Sequence, residues 1–208
     1  MVEGKLITTS TQHSQACNLS AFLSRKIHDI AVPDTLRNRI AGACFSITLD
    51  HFDAILVLLG HKHPIYASAY SLMRVEFESY IRGIWLLNCA SDEKIENFAK
   101  GELGIFPDTK SLICAVEKVS GFDGQQLTKT YIENWSDFCE YTHTGALQVQ
   151  RWNTNDAIKP SYFEGEVQAV IKFTSAIAIM AAMGIVESIA KNQVLAQEIH
   201  AEINKIAI

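Results

Sequence analysis

The sequence has few of the residues that interrupt regular secondary structure. Its 208 residues include only 4 prolines and 11 glycines, whereas low-complexity and disordered chains are usually rich in both. Hydrophobic residues make up 48% of the chain, which is enough to build a continuous core. We therefore expect one ordered domain covering residues 1–208.

An excess of positive charge is also absent. The formal net charge is -5 and the isoelectric point is near 5.8, whereas proteins that coat nucleic acid are usually basic. This argues against broad nucleic-acid binding but leaves room for one local phosphate site. The most apolar stretch, residues 173–186, is too short to span a bilayer, and the first ten residues lack the apolar core of a signal peptide. We expect a cytoplasmic protein that does not bind membranes.

Paired cysteines and nucleotide-binding motifs are missing as well. The chain has five cysteines, none in a C-x-x-C pair, and most lie in apolar segments. This pattern is typical of buried free thiols in a reducing compartment. No P-loop, no G-x-G-x-x-G and no G-x-S-x-G motif is present, so nucleotide-fold and α/β-hydrolase chemistry have no support.

One pair of residues has the spacing of a metal site. Glu140 and His143 form a Glu-x-x-His motif, as in di-iron helical bundles. Such a site needs a second Glu-x-x-His pair and two more glutamates, and the chain contains no second pair. We therefore expect neither a metal ion nor another cofactor.

Apolar residues recur every three or four positions along most of the chain, which is the spacing of one helix face. Asp34, Ser91 and Asp108 are the expected N-caps of three helices. The stretch from Gly145 to Tyr162 lacks the helical period and is expected to be irregular. We predict a single-domain all-α bundle of about seven to eight helices, ending in a helix over about 192–207.

The third predicted helix carries charge within an apolar sequence. Arg74, Glu78, Arg82 and Trp85 fall at i, i+4, i+8 and i+11, so they share one helix face. Burying charges is costly unless they are paired. Two interpretations remain open, an ion pair that braces the bundle and a pocket for an anion or phosphate.

A histidine near the end of the sixth predicted helix is the second candidate. His143 precedes Gly145, a residue type that often ends helices in a left-handed turn. A neutral histidine can act as a general base or acid near pH 7, although it can also serve only as a hydrogen-bonding group. The predicted catalytic residues are Arg74, Glu78, Arg82 and His143, and the predicted substrate-binding residues are Trp85, Tyr141 and Thr142.

Two motifs carry a resemblance to known proteins. R-x-x-x-E-x-x-x-R-x-x-W from Arg74 to Trp85 and Y-T-H-x-G from Tyr141 to Gly145 resemble those of an uncharacterised bacterial family of helical proteins, over about residues 30–190. More distantly, an Arg and His site in a helical bundle is similar to HEPN-type proteins. Many of these are dimeric, metal-independent ribonucleases of toxin–antitoxin and antiphage systems. HEPN proteins carry the two residues close together on one helix, whereas here they lie on different helices.

Two functions follow as hypotheses. The HEPN resemblance implies a metal-independent ribonuclease or toxin, with RNA as substrate and an antitoxin as partner. The alternative is a non-enzymatic binding or scaffold protein in which the same residues form a structural polar network. We also predict a homodimer, because the seventh predicted helix is rich in small residues that allow close helix packing and because HEPN proteins are often dimeric.

Overall fold

A computed structural model describes residues 7–155 and 157–204, with side chains from residue 11 onward. Within these ranges the chain forms nine helices and no strand, which confirms the all-α prediction. The helices are α1 (Ile7–Ile27), α2 (Leu36–Gly60), α3 (Tyr66–Asn88), α4 (Asp92–Ala99), α5 (Thr109–Val116), α6 (Gln126–Thr142), α7 (Ala146–Gln150), α8 (Glu164–Met183) and α9 (Gln193–Ile203). A π-helical turn, Gly184–Ile189, continues α8. The predicted end of the last helix, near Ala207, lies outside the described residues.

Side-chain caps start several of the helices. Ser91 and Asp108 accept hydrogen bonds from backbone N–H groups in the first turns of α4 and α5, as predicted. The predicted cap of α2 is wrong, because Thr35 rather than Asp34 accepts the bond at that position. Asp34 lies instead 3.3 Å from the guanidinium of Arg39. The one-residue shift shows that a capping side chain requires the correct backbone geometry as well as an oxygen.

The predicted irregular stretch from Gly145 to Tyr162 contains a helix that the sequence did not reveal. This helix, α7, has only five residues, and a segment of that length is too short for the apolar period to be recognised. It raises the number of helices above the predicted seven to eight. Beyond α7 the chain is irregular apart from one isolated bridge between Asn153 and Ile158.

Helix α3 is the centre of the fold. It packs against α2, α5, α6 and α8, and its buried residues include Tyr70, Phe77, Ile81 and Trp85. A helix that is apolar around most of its circumference is stable only when neighbours cover most of its sides. Arg74, Glu78 and Arg82, the charged residues of the candidate site, lie on the part of α3 that these neighbours leave partly exposed.

The benzene ring of Phe45 on α2 fits between two glycines. A Cβ atom added at Gly83 of α3 would lie 2.7 Å from this ring, and one at Gly184 would lie 2.8 Å from it. Phe45 is fully buried. The missing side chains at the two glycines therefore allow α2, α3 and the π-helical turn to meet around one aromatic ring.

We expect Gly83→Ala to lower the free energy of unfolding by about 1–3 kcal/mol, because the added methyl group overpacks the core against Phe45. Gly165→Ala is the control. Gly165 lies in the first turn of α8, and an added Cβ would meet no atom within 4 Å, so alanine there is expected to stabilise the helix by roughly 0.5–1 kcal/mol. Urea unfolding of both variants measures the difference. Equal effects would contradict the tight packing around Phe45.

The small residues that suggested a dimer are buried within the chain. Ala178, Ala181 and Ala182 of α8 are fully buried, and Gly184 contacts Phe45. Close packing of this helix is therefore used inside the protomer. The predicted homodimer stays a prediction that depends on the HEPN resemblance.

Two segments among the described residues are long and apolar enough to cross a membrane, namely α2 and the continuous helix Glu164–Ile189. In their most apolar windows, 33% and 56% of the residues are buried inside the protein. Core helices of soluble proteins also meet this criterion of length and composition, so the finding is weak evidence. The cytoplasmic location stays a prediction.

Candidate functional site

Glu78 connects the charged residues of α3. Its carboxylate lies 3.2 Å from Nε of Arg74 and 3.5 Å from Nη2 of Arg82, each one helical turn away. It also accepts a 3.4 Å hydrogen bond from the hydroxyl of Thr109, at the start of α5. The Glu78 side chain is only 13% exposed. The largely buried carboxylate of Glu78 is therefore paired with two arginines of the same helix.

His143 joins this network from the end of α6. Its Nε2 atom lies 2.6 Å from Nη1 of Arg74, across 69 residues of sequence. A guanidinium has only donors, so Nε2 must accept the hydrogen bond, and the ring proton of the neutral imidazole then belongs on Nδ1. The structure therefore brings the four predicted catalytic residues into one cluster, in which His143 is exposed and Arg74 is 21% exposed.

The position of His143 is fixed by the way α6 ends. Thr144, not Gly145, has the left-handed conformation that was predicted at Gly145, with a φ of 55°. Gly145 has a φ of -72°, and an added Cβ there would lie 2.3 Å from a carboxylate oxygen of Glu140. That carboxylate accepts a 3.0 Å hydrogen bond from the backbone N–H of Leu147. Glu140 is thus used to join α6 to α7.

Tyr141 and Thr142 attach the end of α6 to α3. The hydroxyl of Ser71 donates a 2.9 Å hydrogen bond to the backbone carbonyl of Tyr141, and the hydroxyl of Thr142 donates a 3.3 Å bond to the carbonyl of Ser71. The ring of Tyr141 is buried against Tyr70, with a centroid distance of 4.9 Å. These two predicted substrate-binding residues therefore lie behind His143 and hold it in place.

Trp85, the remaining predicted binding residue, is 4% exposed. Its ring lies 5.8 Å from that of Phe106, over which the guanidinium of Arg82 stacks at 5.0 Å. Phe106 therefore lies in contact with both Trp85 and the charged cluster. Its buried position leaves little surface for contact with a ligand.

Aromatic rings support both arginines, and the sequence analysis did not identify them. The guanidinium of Arg74 lies 4.7 Å from the ring of Trp135, which stacks on Tyr131 at 4.8 Å. Tyr131 and Trp135 are four residues apart on α6, a spacing that could have marked them as one surface patch. Phe106 lies in the loop before α5, where no periodicity indicates its direction. Stacking restricts the guanidinium planes without using their hydrogen-bond donors.

A second polar cluster lies between α3, α8 and the segment after α7. Arg151 pairs with Glu166, and the phenols of Tyr70, Tyr141 and Tyr162 are close by. Burial is the main cause that raises the pKa of each of the three phenols above its ordinary value, and the buried hydroxyl of Tyr70 has no hydrogen-bond partner among the described residues. The sequence analysis missed this cluster because its members are scattered along the chain.

Glu76 is the least expected charged residue. It lies within the same motif as Arg74, but its side chain is fully buried and neither carboxylate oxygen has a hydrogen-bond partner. Burial raises the pKa of this carboxyl well above its usual value. Glu76 is thus expected to be a neutral carboxylic acid inside the core, separate from the exposed cluster around Glu78.

The donor atoms for a metal ion are not grouped. Among the residues that the structure describes, no three His, Cys, Asp or Glu side chains converge in a way that could hold one. Glu140, from the predicted half-motif, instead accepts the backbone bond from Leu147. The cluster at Arg74 and His143 offers hydrogen-bond donors, one imidazole and one carboxylate, and these groups suit binding of an oxyanion and transfer of a proton.

Comparison with curated proteins finds no match, and comparison with solved structures finds none. Comparison with protein families finds one match, to a family of unknown function, over residues 45–206. The matched region contains both motifs and every residue of the candidate site. It covers well over half of the chain, and the protein therefore belongs to the DUF6988 family, a family of unknown function.

Proposed function

We propose that the cluster of Arg74, Glu78, Arg82 and His143 is the active site of a HEPN-like, metal-independent ribonuclease. The observation that carries the proposal is the exposed imidazole of His143, held 2.6 Å from a guanidinium. A proton acceptor beside an oxyanion-binding group is the minimum arrangement for cleavage of a phosphodiester by an internal hydroxyl.

The reaction uses the ribose 2′-hydroxyl as nucleophile. When a phosphate binds, the guanidinium of Arg74 turns from His143 to the phosphate oxygens, and Nε2 of His143 becomes free to accept a proton. His143 removes the proton of the 2′-hydroxyl, and the 2′-oxygen attacks the adjacent phosphorus. The bond to the 5′-oxygen breaks, and this oxygen takes a proton from protonated His143 or from water. The products are a 2′,3′-cyclic phosphate and a 5′-hydroxyl, so no metal, oxidant or reductant is required.

The arginines supply the electrostatic part of the mechanism. A guanidinium has five N–H donors, and Arg74 has more of these than its two observed contacts require. Glu78 pairs with both guanidinium groups, and the rings of Trp135 and Phe106 lie beside them, so both arginines stay at the site when Arg74 turns from His143 to the phosphate. Positively charged donors beside the phosphate stabilise the negative charge that develops on it in the transition state.

The product of the reaction tests the proposal. Purified protein is incubated with a single-stranded RNA, with and without a chelator, and the new RNA ends are identified by mass spectrometry. We expect 2′,3′-cyclic phosphate ends at the same rate in both conditions. The His143→Ala variant, purified identically, controls for contaminating ribonuclease. Activity abolished by the chelator, or equal in the variant, would reject the mechanism.

A second candidate function, a non-enzymatic scaffold, is favoured by the position of Glu78. Its carboxylate accepts contacts from Arg74, Arg82 and Thr109 and so connects α3 to α5. A partly buried carboxylate with three donors is also what a structural polar network requires. In this hypothesis the cluster fixes how the helices pack, and the protein acts through a binding surface.

The scaffold hypothesis predicts that Glu78→Ala lowers the free energy of unfolding by about 1–3 kcal/mol, because the donors around it lose their acceptor. Glu133→Ala is the control, since Glu133 is 57% exposed and lies 3.9 Å from Lys129 in an ordinary helix-surface pair, which is worth less than about 0.5 kcal/mol. Chemical denaturation measures both variants. A stable Glu78→Ala protein that cleaves no RNA would favour the enzyme over the scaffold.

The HEPN proposal includes a homodimer and an antitoxin partner. Light scattering at micromolar concentration tests the predicted homodimer, and a measured mass equal to that of the monomer would reject it.

A further inference from the structure

A largely apolar pocket opens next to the charged cluster, where the sequence predicted only an irregular loop. Its volume is about 560 Å³, within the usual range of small-molecule sites. Its apolar wall includes Val149, Trp152 and Ile158, and its polar lining includes Thr144, Gln148 and Asn153. We propose that this pocket binds a nucleobase of single-stranded RNA whose phosphate lies at the Arg74–His143 cluster. The inference rests on the ribonuclease proposed above and assigns its substrate a base-binding subsite.

The position of the pocket relative to the cluster supports this inference. Thr144 lines the pocket and directly follows His143 in the chain. Ala67 also lines the pocket, and it lies seven residues before Arg74 on the same face of α3. Seven residues correspond to roughly 10 Å along a helix axis. Stacked nucleotides rise by about 3.4 Å each along one strand, so a few nucleotides of one RNA strand cover this separation.

The chemistry of the lining also fits a base. Single-stranded RNA is recognised by stacking of bases on aromatic rings and by hydrogen bonds to the base edges. The indole of Trp152 provides a flat apolar face, and the exposed amide of Asn153 offers both a donor and an acceptor. Two backbone hydrogen bonds, to the carbonyl of Val149 and from the N–H of Lys159, fix the backbone at Trp152. These bonds fix the backbone from which the Trp152 side chain extends along the pocket wall.

The exposed apolar side chains need an explanation that packing does not give. Ile158 is 86% exposed and Val149 is 49% exposed, and both line the pocket that Thr144 also lines. A protein chain could also cover such a surface. A nucleobase is preferred here because Arg74, on the same face of α3 as Ala67, suits the phosphate of the same ligand, so one RNA strand can contact both surfaces.

The test measures binding of a fluorescein-labelled, ten-nucleotide 2′-O-methyl RNA, which cannot be cleaved through its 2′-oxygen. Fluorescence anisotropy compares wild type with Ile158→Ser and Trp152→Ala, and Trp152→Phe serves as the conservative variant. Val194→Ser is the matched control, because Val194 is 70% exposed on α9 and outside the pocket. Circular dichroism confirms that each variant is folded. An RNA of the same length without bases is measured in parallel.

We expect Ile158→Ser and Trp152→Ala to weaken RNA binding about tenfold or more, as loss of base stacking does. Val194→Ser should stay within about twofold of wild type, and Trp152→Phe, which keeps a smaller aromatic ring, should bind RNA more tightly than Trp152→Ala but less tightly than wild type. The RNA without bases should bind all proteins equally weakly. RNA binding by wild type that is unchanged in Ile158→Ser and Trp152→Ala overturns the base pocket while leaving the ribonuclease proposal intact. No RNA binding by wild type overturns both.

Discussion

Replacing His143 with alanine is expected to lower the rate of RNA cleavage by about 10²- to 10⁴-fold, which is the usual contribution of general acid–base catalysis. The reason is geometric, since His143 places the one exposed imidazole of this cluster 2.6 Å from Arg74. Its side chain is exposed and belongs to no apolar contact of the core. The variant should therefore unfold at the same temperature as wild type.

His200→Ala is the matched control, because His200 is also an exposed histidine but lies on α9. Single-turnover cleavage and thermal unfolding are measured for both variants. Arg74→Lys adds a second comparison, since lysine keeps the charge but lacks the planar group of donors, and it should lose part of the activity. A His143→Ala protein that cleaves RNA at the wild-type rate would remove His143 from the mechanism.

The same variants can be compared in a bacterial host. Induced expression of wild type should slow growth, and His143→Ala at an equal soluble level should not. Toxicity of both proteins would show that growth inhibition does not depend on the imidazole. This comparison tests whether the protein acts as a toxin in cells, separately from the chemistry of RNA cleavage.

The stability of the protein is expected to fall as the pH rises above about 4.5, and Glu76→Gln should remove much of this dependence. An unfolded chain releases the Glu76 proton near its ordinary pKa of 4.5, whereas burial raises the pKa of the carboxyl in the folded protein. Between these two pKa values the folded state binds more protons than the unfolded state. The free energy of unfolding then decreases with increasing pH, by up to roughly 1.4 kcal/mol per pH unit.

The effect has a defined pH window. Below the pKa of the unfolded chain both states are protonated and Glu76 contributes no slope, and above the raised pKa of the folded state both are ionised and the slope ends. Urea unfolding at half-unit intervals from pH 4 to pH 8 measures the wild type, Glu76→Gln and the exposed control Glu96→Gln. A wild-type slope that Glu76→Gln leaves unchanged would contradict a neutral, buried Glu76.

Glu76→Met extends this comparison. Methionine is unbranched and apolar, fits irregular core spaces and favours helices, and it brings no polar atom into a site that offers no hydrogen-bond partner. The Glu76→Met protein should therefore be more stable than wild type near pH 7. A destabilised Glu76→Met protein would indicate that the buried carboxyl has a function in packing that the described contacts do not show.

The sequence determined the fold class, because helix periodicity and capping are local properties. Apolar residues at three- and four-residue spacing predicted eight of the nine helices, and the caps at Ser91 and Asp108 were correct. The contact between Arg74 and Glu78 was also predictable, since residues four apart on a helix are neighbours. The helix that the sequence missed, α7, was too short for its period to be recognised.

Only the tertiary structure decided which groups surround these residues. Arg74 meets His143 across 69 residues, and Phe106 and Thr109 reach Arg82 and Glu78 from a loop and a helix end whose directions no local pattern specifies. Alternative helix arrangements leave the periodicity unchanged but bring different side chains together. For the same reason, two glutamates only two residues apart on α3 have different surroundings. Packing buries Glu76 without a hydrogen-bond partner, whereas Glu78 contacts Arg74, Arg82 and Thr109.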